Sequence, residues 1–408
     1  MKITREFIKA IPKTDLHLHL DGSLRLETLI ELAADAGVKL PSGTVEGLKE
    51  TIFKDKYENL GEYLKGFFYT GSVMQTPESL ERISYELAQD NINEGVKYIE
   101  VRFAPQLHQH DNLGIIEVLK SVNKGLKRAQ TEFNSRREIS SGNEPPFEYG
   151  IISCAMRMFD YGFSAYFDDL LNVHKYSDRK WVFSLASQEL VRASVDARDN
   201  YSVPVVGFDL AGMEEGYPAV DHKYAYNLAH RNFLKKTVHA GEAYGPESIF
   251  QAITELHADR IGHGLHLFDA ERIKNSEIKD RDEYVSDLAQ YIADRRITIE
   301  VCLTSNMQTS PEYKTLEDHP FKKMKDARLS VTFCTDNRTV SSTTVTDEIF
   351  KAVNTFDISH KDLRDIMVYG FKRSFFPGSY LRKRRYVRRI LNYYDDVEEK
   401  FGIKERQG

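Results

Sequence analysis

The chain has 408 residues, with 56 basic and 62 acidic side chains, a formal net charge of −6 and 41% hydrophobic residues. These values are typical of a globular protein with one large domain or a few average ones, and an acidic total disfavours a nucleic-acid binder. Three widely spaced cysteines, no apolar N-terminal leader and no run of ~20 apolar residues predict a cytoplasmic protein without a disulfide framework, secretory signal or membrane span.

Short runs rich in β-branched residues alternate with longer helical patterns along the whole chain. Helices are predicted to begin, for example, at Pro77 after the N-cap Thr76, and at Pro246 after Gly245. Eight strand–helix units in series predict an α/β fold, a (β/α)8 TIM barrel, as one domain over residues 1–408. The eight predicted strands are residues 14–20, 97–103, 148–155, 204–210, 236–240, 259–263, 297–303 and 329–335.

Three segments lie outside these repeated units. Residues 41–76 are a helical insertion after the first strand, and their aromatic residues at helical spacing indicate either core packing or a lid over the barrel mouth. Residues 134–147 are predicted to be a polar surface loop, and residues 380–400 a C-terminal helix. The predicted apolar face of that helix comprises Tyr380, Val387, Leu391 and Tyr394.

Two histidines lie on the first predicted strand. His17 and His19 are two residues apart, so in a strand both imidazoles leave the same face. Such a pair is either two partly buried histidines or half of a metal site. Further polar residues lie at or just beyond the ends of the fourth, fifth, sixth and eighth strands, where the active sites of barrels lie: Asp209, His239, Glu242, His263 and Asp336. Three histidines and one carboxylate form a complete metal site, for which Zn²⁺ is the default, with Fe, Co or Mn as alternatives.

Six motifs closely resemble those of the adenosine deaminases, which belong to the metal-dependent amidohydrolase superfamily. They run in family order over nearly the whole chain: Thr-Asp-Leu-His-Leu-His-Leu-Asp-Gly-Ser (14–23), Tyr-Ile-Glu-Val-Arg-Phe-Ala-Pro (98–105), Val-Val-Gly-Phe-Asp-Leu-Ala-Gly (205–212), His-Ala-Gly-Glu (239–242), Arg-Ile-Gly-His-Gly (260–264) and Thr-Asp-Asn (335–337). The resemblance implies a single metal-dependent deaminase barrel. It would hydrolyse adenosine or 2′-deoxyadenosine to inosine or 2′-deoxyinosine and ammonia through a zinc-bound hydroxide.

The resemblance also implies catalytic roles. Glu242 would protonate the purine at N1, while His263 and Asp336 would orient the hydroxide. The expected cofactor is one Zn²⁺ per chain. Its implied ligands are His17, His19, His239 and Asp336.

Three further positions match substrate contacts of the family. Asp21 would contact the ribose, and the backbone of Gly212 would meet N3 of the purine. Asn337 stands where many members have a second aspartate that contacts N7, and its amide can donate a hydrogen bond to that acceptor. The expected partner is a small purine nucleoside, with no nucleic acid or membrane.

Several alternatives stay open from the sequence. The substrate could be adenine, a modified adenosine or an adenine-bearing biosynthetic intermediate. A non-catalytic nucleoside-binding protein or a two-metal hydrolase on the same barrel are further options. Glu100 and Arg102 are predicted to be either an internal ion pair of the barrel or substrate ligands.

Overall fold

A computed structural model describes residues 2–58 and 60–403, so Asn59 of the predicted lid lies outside the described residues. Within those ranges eight parallel strands pair in the order β1 to β8. The predicted TIM barrel is therefore confirmed. The strands are β1 (Lys13–His19), β2 (Val96–Phe103), β3 (Glu148–Met156), β4 (Val205–Ala211), β5 (Lys235–Ala240), β6 (Arg260–His263), β7 (Thr298–Val301) and β8 (Ser330–Phe333).

The barrel closes where the chain leaves β8 and meets β1. Asp336 accepts a hydrogen bond from the backbone N–H of His19 and donates its own backbone N–H to His17, both at 2.8 Å. A bridge between Leu18 and Asp336 continues the sheet beyond the end of β8. This closure places one sequence-predicted metal ligand directly beside two others.

Helices surround the barrel and fill the long connection between β1 and β2. They are α1 (Arg5–Ala10), α2 (Leu26–Ala36), α3 (Val45–Thr51), α4 (Leu60–Val73), α5 (Pro77–Asn93), α6 (Ile115–Asn134), α7 (Arg137–Ser140), α8 (Ala165–Val173), α9 (Arg179–Tyr201), α10 (Lys223–Arg231), α11 (Pro246–Thr254), α12 (Arg281–Arg295), α13 (Leu303–Thr309), α14 (Phe321–Asp326), α15 (Val345–Thr355), α16 (His360–Arg373) and α17 (Tyr380–Lys400). None of the described helices combines the length and hydropathy needed to cross a membrane.

The helix starts follow local capping chemistry. Thr76 caps α5 through a capping box with Ser79, and Pro77 takes the first helical position, as predicted. The polar segment 134–147 was predicted to be a loop, but it contains the one-turn helix α7, whose Ile139 is buried. The burial of Ile139 stabilises this helical turn, which the polar composition of the segment did not predict.

The C-terminal helix spans the predicted residues but buries a different face. Tyr380 is 72% exposed and so does not belong to the buried face of α17. The hydroxyl of Tyr386 donates to the carbonyl of Lys97 at 2.6 Å, which turns the helix so that the stripe is shifted from the predicted one. The buried stripe is Tyr386, Ile390, Tyr394 and Val397.

A buried histidine just before α10 makes the stability of the fold depend on pH. The Nδ1 atom of His222 lies 2.8 Å from the hydroxyl of Ser187, and its Nε2 lies 3.1 Å from the carbonyl oxygen of Arg157. Burial, together with the charge of Arg157, lowers the pKa of His222 to about 3. The folded chain therefore keeps this imidazole neutral at pH values where the unfolded chain protonates it.

We expect the free energy of unfolding to fall as the pH drops from about 6.5 towards 3. Over that pH range the unfolded state binds a proton at this histidine and the folded state does not. The free energy of unfolding therefore falls by up to about 1.4 kcal/mol per pH unit for this one group. Urea denaturation at pH 7 and pH 5 measures the change. The variant His222→Gln should flatten the pH dependence, and an unchanged slope in the variant would contradict the assignment.

Candidate active site

Four predicted ligands from three separate strand ends converge at the barrel mouth. The Nε2 atoms of His19 and His239 lie 3.2 Å apart. The carboxylate of Asp336 lies 3.4 Å from Nε2 of both His17 and His19. All four ligand atoms lie within 4.8 Å of one another. The two strands that contribute histidines and the residue that closes the barrel therefore build one compact donor set.

This donor set fits a metal ion. An ion with bonds of about 2.0–2.1 Å in tetrahedral geometry separates its ligand atoms by roughly 3.3 Å, close to the three short distances observed. Nε2 of His17 is buried and has no hydrogen-bond partner among the described residues. Burial also lowers the pKa of His19 well below its usual value, which keeps that imidazole in the neutral form that binds metals.

Buried carboxylates orient the ligand imidazoles from behind. Glu300 lies 2.8 Å from Nδ1 of His17, and Asp209 lies 3.1 Å from Nδ1 of His239. Each carboxylate accepts the Nδ1 proton, so Nε2 is left free for a metal ion. Burial opposes the charge on Asp209, but His239 and the guanidinium of Arg102 hold its pKa well below the usual range.

Arg102 joins these two carboxylates inside the barrel. It donates to Asp209 at 2.7 Å and to Glu300 at 2.9 Å. Glu100 pairs instead with Arg260, and Arg260 also donates to Glu300 at 2.6 Å. Glu100 and Arg102 are both buried inside the barrel, but they do not form the predicted ion pair with each other: Glu100 pairs with Arg260, and Arg102 pairs with Asp209 and Glu300.

Glu242 and His263 lie beside the metal-ligand set. Their closest side-chain atoms, Oε2 of Glu242 and Nε2 of His263, are 3.9 Å apart. The ring of His263 lies 4.8 Å from that of His17 and 5.2 Å from that of His239. His263 and Asp336 both adopt left-handed backbone conformations, with φ of 64° and 59°. Such strained conformations in residues other than glycine cluster at functional sites.

The loop that carries Glu242 is fastened by a buried carboxylate that the sequence did not single out. Glu214 accepts backbone N–H donors of the four consecutive residues 241–244 at 2.7–3.1 Å, and the hydroxyl of Ser248 at 2.5 Å. Burial opposes its ionisation, but the charge of Arg157 and these donors lower its pKa. Glu214 therefore links the loop after β4 to the loop after β5.

The predicted substrate contacts lie around the same mouth. Asp21 approaches Nδ1 of His19 at 3.8 Å, and burial raises its pKa to about 7. Gly212 follows β4 with a φ of 99°, and a Cβ there would face Met156 and Arg157, so its contacts do not by themselves join it to the ligands.

Helix α4, part of the predicted lid insertion, contacts the loop after β8 through the phenol of Tyr63. Nδ2 of Asn337 donates to the hydroxyl of Tyr63 at 2.8 Å, and that hydroxyl lies 3.1 Å from Oγ of Ser341. Tyr57 anchors the segment before α4 to the same loop by donating to the carbonyl of Val340 at 2.6 Å. The insertion therefore packs directly against the residues that follow β8.

A family model described as adenosine deaminase matches residues 12–197 and 180–392 of the chain. The chain belongs to the adenosine deaminase family. An adenosine deaminase of Vibrio atlanticus is 33% identical over 368 residues, covering 90% of this chain and 94% of that protein. The Mycobacterium leprae adenosine deaminase is 35% identical over 376 residues, covering 91% and 92%. The predicted resemblance is thus confirmed, and the protein is a hydrolytic deaminase.

Solved structures share the fold at lower identity. An adenine deaminase from Arthrobacter aurescens has a TM-score of 0.70 at 21% identity and covers 95% of this chain and 100% of its own. An amidohydrolase from Burkholderia ambifaria with bound Zn has a TM-score of 0.76 at 19% identity, covering 99% and 97%. An N6-methyl-AMP deaminase from Arabidopsis thaliana has a TM-score of 0.71 at 23% identity, covering 97% and 100%.

Proposed function

We propose that this member of the adenosine deaminase family converts adenosine and 2′-deoxyadenosine to inosine and 2′-deoxyinosine, with release of ammonia. The observation that carries the proposal is the convergence of a four-ligand metal set with Glu242 and His263 at one barrel mouth. The relatives named adenosine deaminase, which match over about nine tenths of both chains, support the choice of substrate.

The metal of the proposal is zinc, one ion per chain, held by the three histidines and Asp336. The ligand chemistry of the site and the bound Zn of the amidohydrolase neighbour support this choice. When bound, zinc would lower the pKa of a water molecule and so supply a nucleophile at neutral pH.

The side chains around the ion would transfer the proton, orient the attacking oxygen and bind the substrate. Attack at C6 of the purine pushes electrons onto N1, so a protonated Glu242 would donate a proton there. His263 would hydrogen-bond the attacking oxygen and direct it towards C6. Asp21 would bind the ribose hydroxyl, the backbone of Gly212 would meet N3, and Asn337 would face N7.

The lid supports a nucleoside over a nucleotide. The side chains that α4 and the segment before it bring to the loop after β8 are the phenols of Tyr57 and Tyr63. Aromatic, uncharged side chains suit a neutral ribose better than a phosphate dianion. As part of the same proposal, the whole chain acts as one domain in the cytoplasm. The buried free thiols of its three cysteines are consistent with a reducing compartment.

Turnover of adenosine, 2′-deoxyadenosine, adenine, AMP and N6-methyladenosine by the purified protein tests the substrate. We expect both nucleosides to give the largest kcat/KM, measured by the loss of ultraviolet absorbance. Equal or better turnover of adenine or AMP would refute the proposal. Removing the metal with a chelator should abolish turnover, and adding Zn²⁺ should restore it. Retained turnover in protein shown to be metal-free would contradict the zinc role.

The Tyr63–Asn337 contact allows a sharper test of purine binding. In Tyr63→Phe the amide of Asn337 loses the partner that holds it, so we expect KM for adenosine to rise about 3- to 10-fold, the value of one hydrogen bond. The value of kcat should change little, because the hydrogen bonds of the Tyr63 hydroxyl go to Asn337 and Ser341 and not to a metal ligand. Tyr57→Phe is the matched control, since its hydroxyl donates to the carbonyl of Val340 and not to a side chain predicted to contact the purine. An equal rise of KM in both variants would show a general loosening of the lid instead.

A further inference from the structure

A line of buried polar groups runs from the backbone of α14 to His263. The backbone N–H of Phe321 donates to Nδ1 of His319 at 3.1 Å. Nε2 of His319 lies 3.2 Å from Oδ1 of Asn306, and Nδ2 of Asn306 lies 3.0 Å from Nδ1 of His263. Exposure of His319, Asn306 and His263 is at most 1%, so water does not compete for these contacts. The sequence had left Asn306 without an assigned role and gave no signal at His319.

The first donor determines the direction of every later hydrogen bond. A backbone N–H can only donate, so Nδ1 of His319 must be the unprotonated, accepting nitrogen. Its proton therefore lies on Nε2 and is donated to Oδ1 of Asn306. With its oxygen committed, Asn306 turns its NH₂ group towards His263, and Nδ1 of His263 must accept.

Two other arrangements of the hydrogen atoms are conceivable, and each would place one hydrogen-bond donor against another. Turning the amide of Asn306 over would place its NH₂ against the Nε2–H of His319. Protonating His263 on Nδ1 would place that N–H against the NH₂ of Asn306. Burial lowers the pKa of His319 to about 3, so a charged His319 does not break the line near neutral pH.

We propose that Asn306 and His319 are positioning residues that fix the tautomer of His263, with Nδ1 as the acceptor and the N–H on Nε2. Resting on the proposed function, this makes His263 a hydrogen-bond donor to the oxygen that attacks C6, and not the base that takes a proton from it. The Nε2 atom lies 3.9 Å from Oε2 of Glu242, on the side of the ring that faces the other catalytic candidate.

Nitrogen-15 NMR of histidine-labelled, zinc-free protein tests the tautomer directly. We expect the His263 ring to show an unprotonated Nδ1 and a protonated Nε2 near neutral pH, with His263→Gln used only to assign its signals. In Asn306→Asp the carboxylate can only accept, so Nδ1 of His263 should carry a proton in this variant. A wild-type His263 with a protonated Nδ1 would overturn the proposal.

Kinetics of the zinc-loaded variants supply the second readout. Asn306→Asp and His319→Leu should lower kcat about 10- to 100-fold, the range typical of outer-shell partners, with KM little changed. His319→Gln should retain most of kcat, because its amide can accept from Phe321 and donate to Asn306. A kcat near the wild-type value in His319→Leu, or a loss in His319→Gln as large as that in His319→Leu, would show a packing role and overturn the proposal.

A failure of the positioning proposal and a failure of the proposed function give different results. Suppose that the wild type deaminates adenosine, and that Asn306→Asp changes the His263 tautomer but not kcat. This result refutes the positioning role of Asn306 and His319 and leaves the proposed function intact. If the wild type deaminates none of the amino-purines, the proposed function fails, and the wild-type spectrum alone then supports or overturns the hydrogen-bond line.

Discussion

Replacing Glu242 by Gln should lower kcat for adenosine by about 10²- to 10⁴-fold, the range expected for losing a general acid. An amide can hydrogen-bond N1 of the purine but cannot give it a proton, so the negative charge that develops on the ring stays uncompensated. KM should change little, because the hydrogen bond to the ring survives. The backbone of residue 242 stays anchored to Glu214 in the variant, so the loop keeps its place.

Loss of absorbance at saturating adenosine measures this kcat, and metal analysis of the same preparation shows whether the ion is retained. Glu247→Gln is the matched control, because that carboxylate binds the backbone N–H groups of residues 274 and 275 outside the site. We expect its kcat to match the wild type. Undiminished turnover in Glu242→Gln with a normal metal content would remove Glu242 from the mechanism.

The main features of the site could be predicted because the fold brings strand ends together. His17 and His19 are two residues apart on one strand, and the two-residue period of a strand puts both rings on one face. His239 and His263 lie at the ends of β5 and β6, and Asp336 follows β8, so a parallel barrel brings them to the same end. The pairing of Asp336 with β1 could not be predicted from any local sequence pattern, because it depends on how the barrel closes.

The supporting residues could not be predicted in the same way. Glu214, Asn306 and His319 are single polar residues in loops or short helices, and no periodic pattern marks them. The partners of Glu214 follow 27–34 residues later in the chain, and only the packing of neighbouring loops joins them. The buried stripe of α17 was misjudged for a similar reason, because the helix is oriented by Tyr386 reaching Lys97 on β2.

Replacing Glu300 by Gln should damage stability and metal binding together. Its carboxylate contacts His17 at 2.8 Å, Arg102 at 2.9 Å, Arg260 at 2.6 Å and Thr237 at 3.0 Å, all of them buried. Removing one partner from a buried ion network typically costs about 3–5 kcal/mol of unfolding free energy, because the guanidinium charges stay buried. The amide keeps one acceptor oxygen where the carboxylate has two, so His17 loses its charged partner, and metal binding should weaken about 10- to 100-fold.

Glu100→Gln separates the two effects, because Glu100 pairs with Arg260 in the same network, and its hydrogen bonds among the described residues go to Arg260 and the backbone of Phe375 and not to a ligand histidine. Both variants should unfold at lower urea concentration than the wild type when the protein is metal-free, which removes the contribution of metal binding to stability. Competition with a chromogenic chelator then measures metal affinity, and we expect it to fall only in Glu300→Gln. If Glu100→Gln weakens metal binding equally, the affinity depends on the charge of the whole network and not on the contact behind His17. In that case the metal affinity depends on the electrostatic potential of all the buried charges in the barrel, and the hydrogen bond from His17 to Glu300 does not determine it.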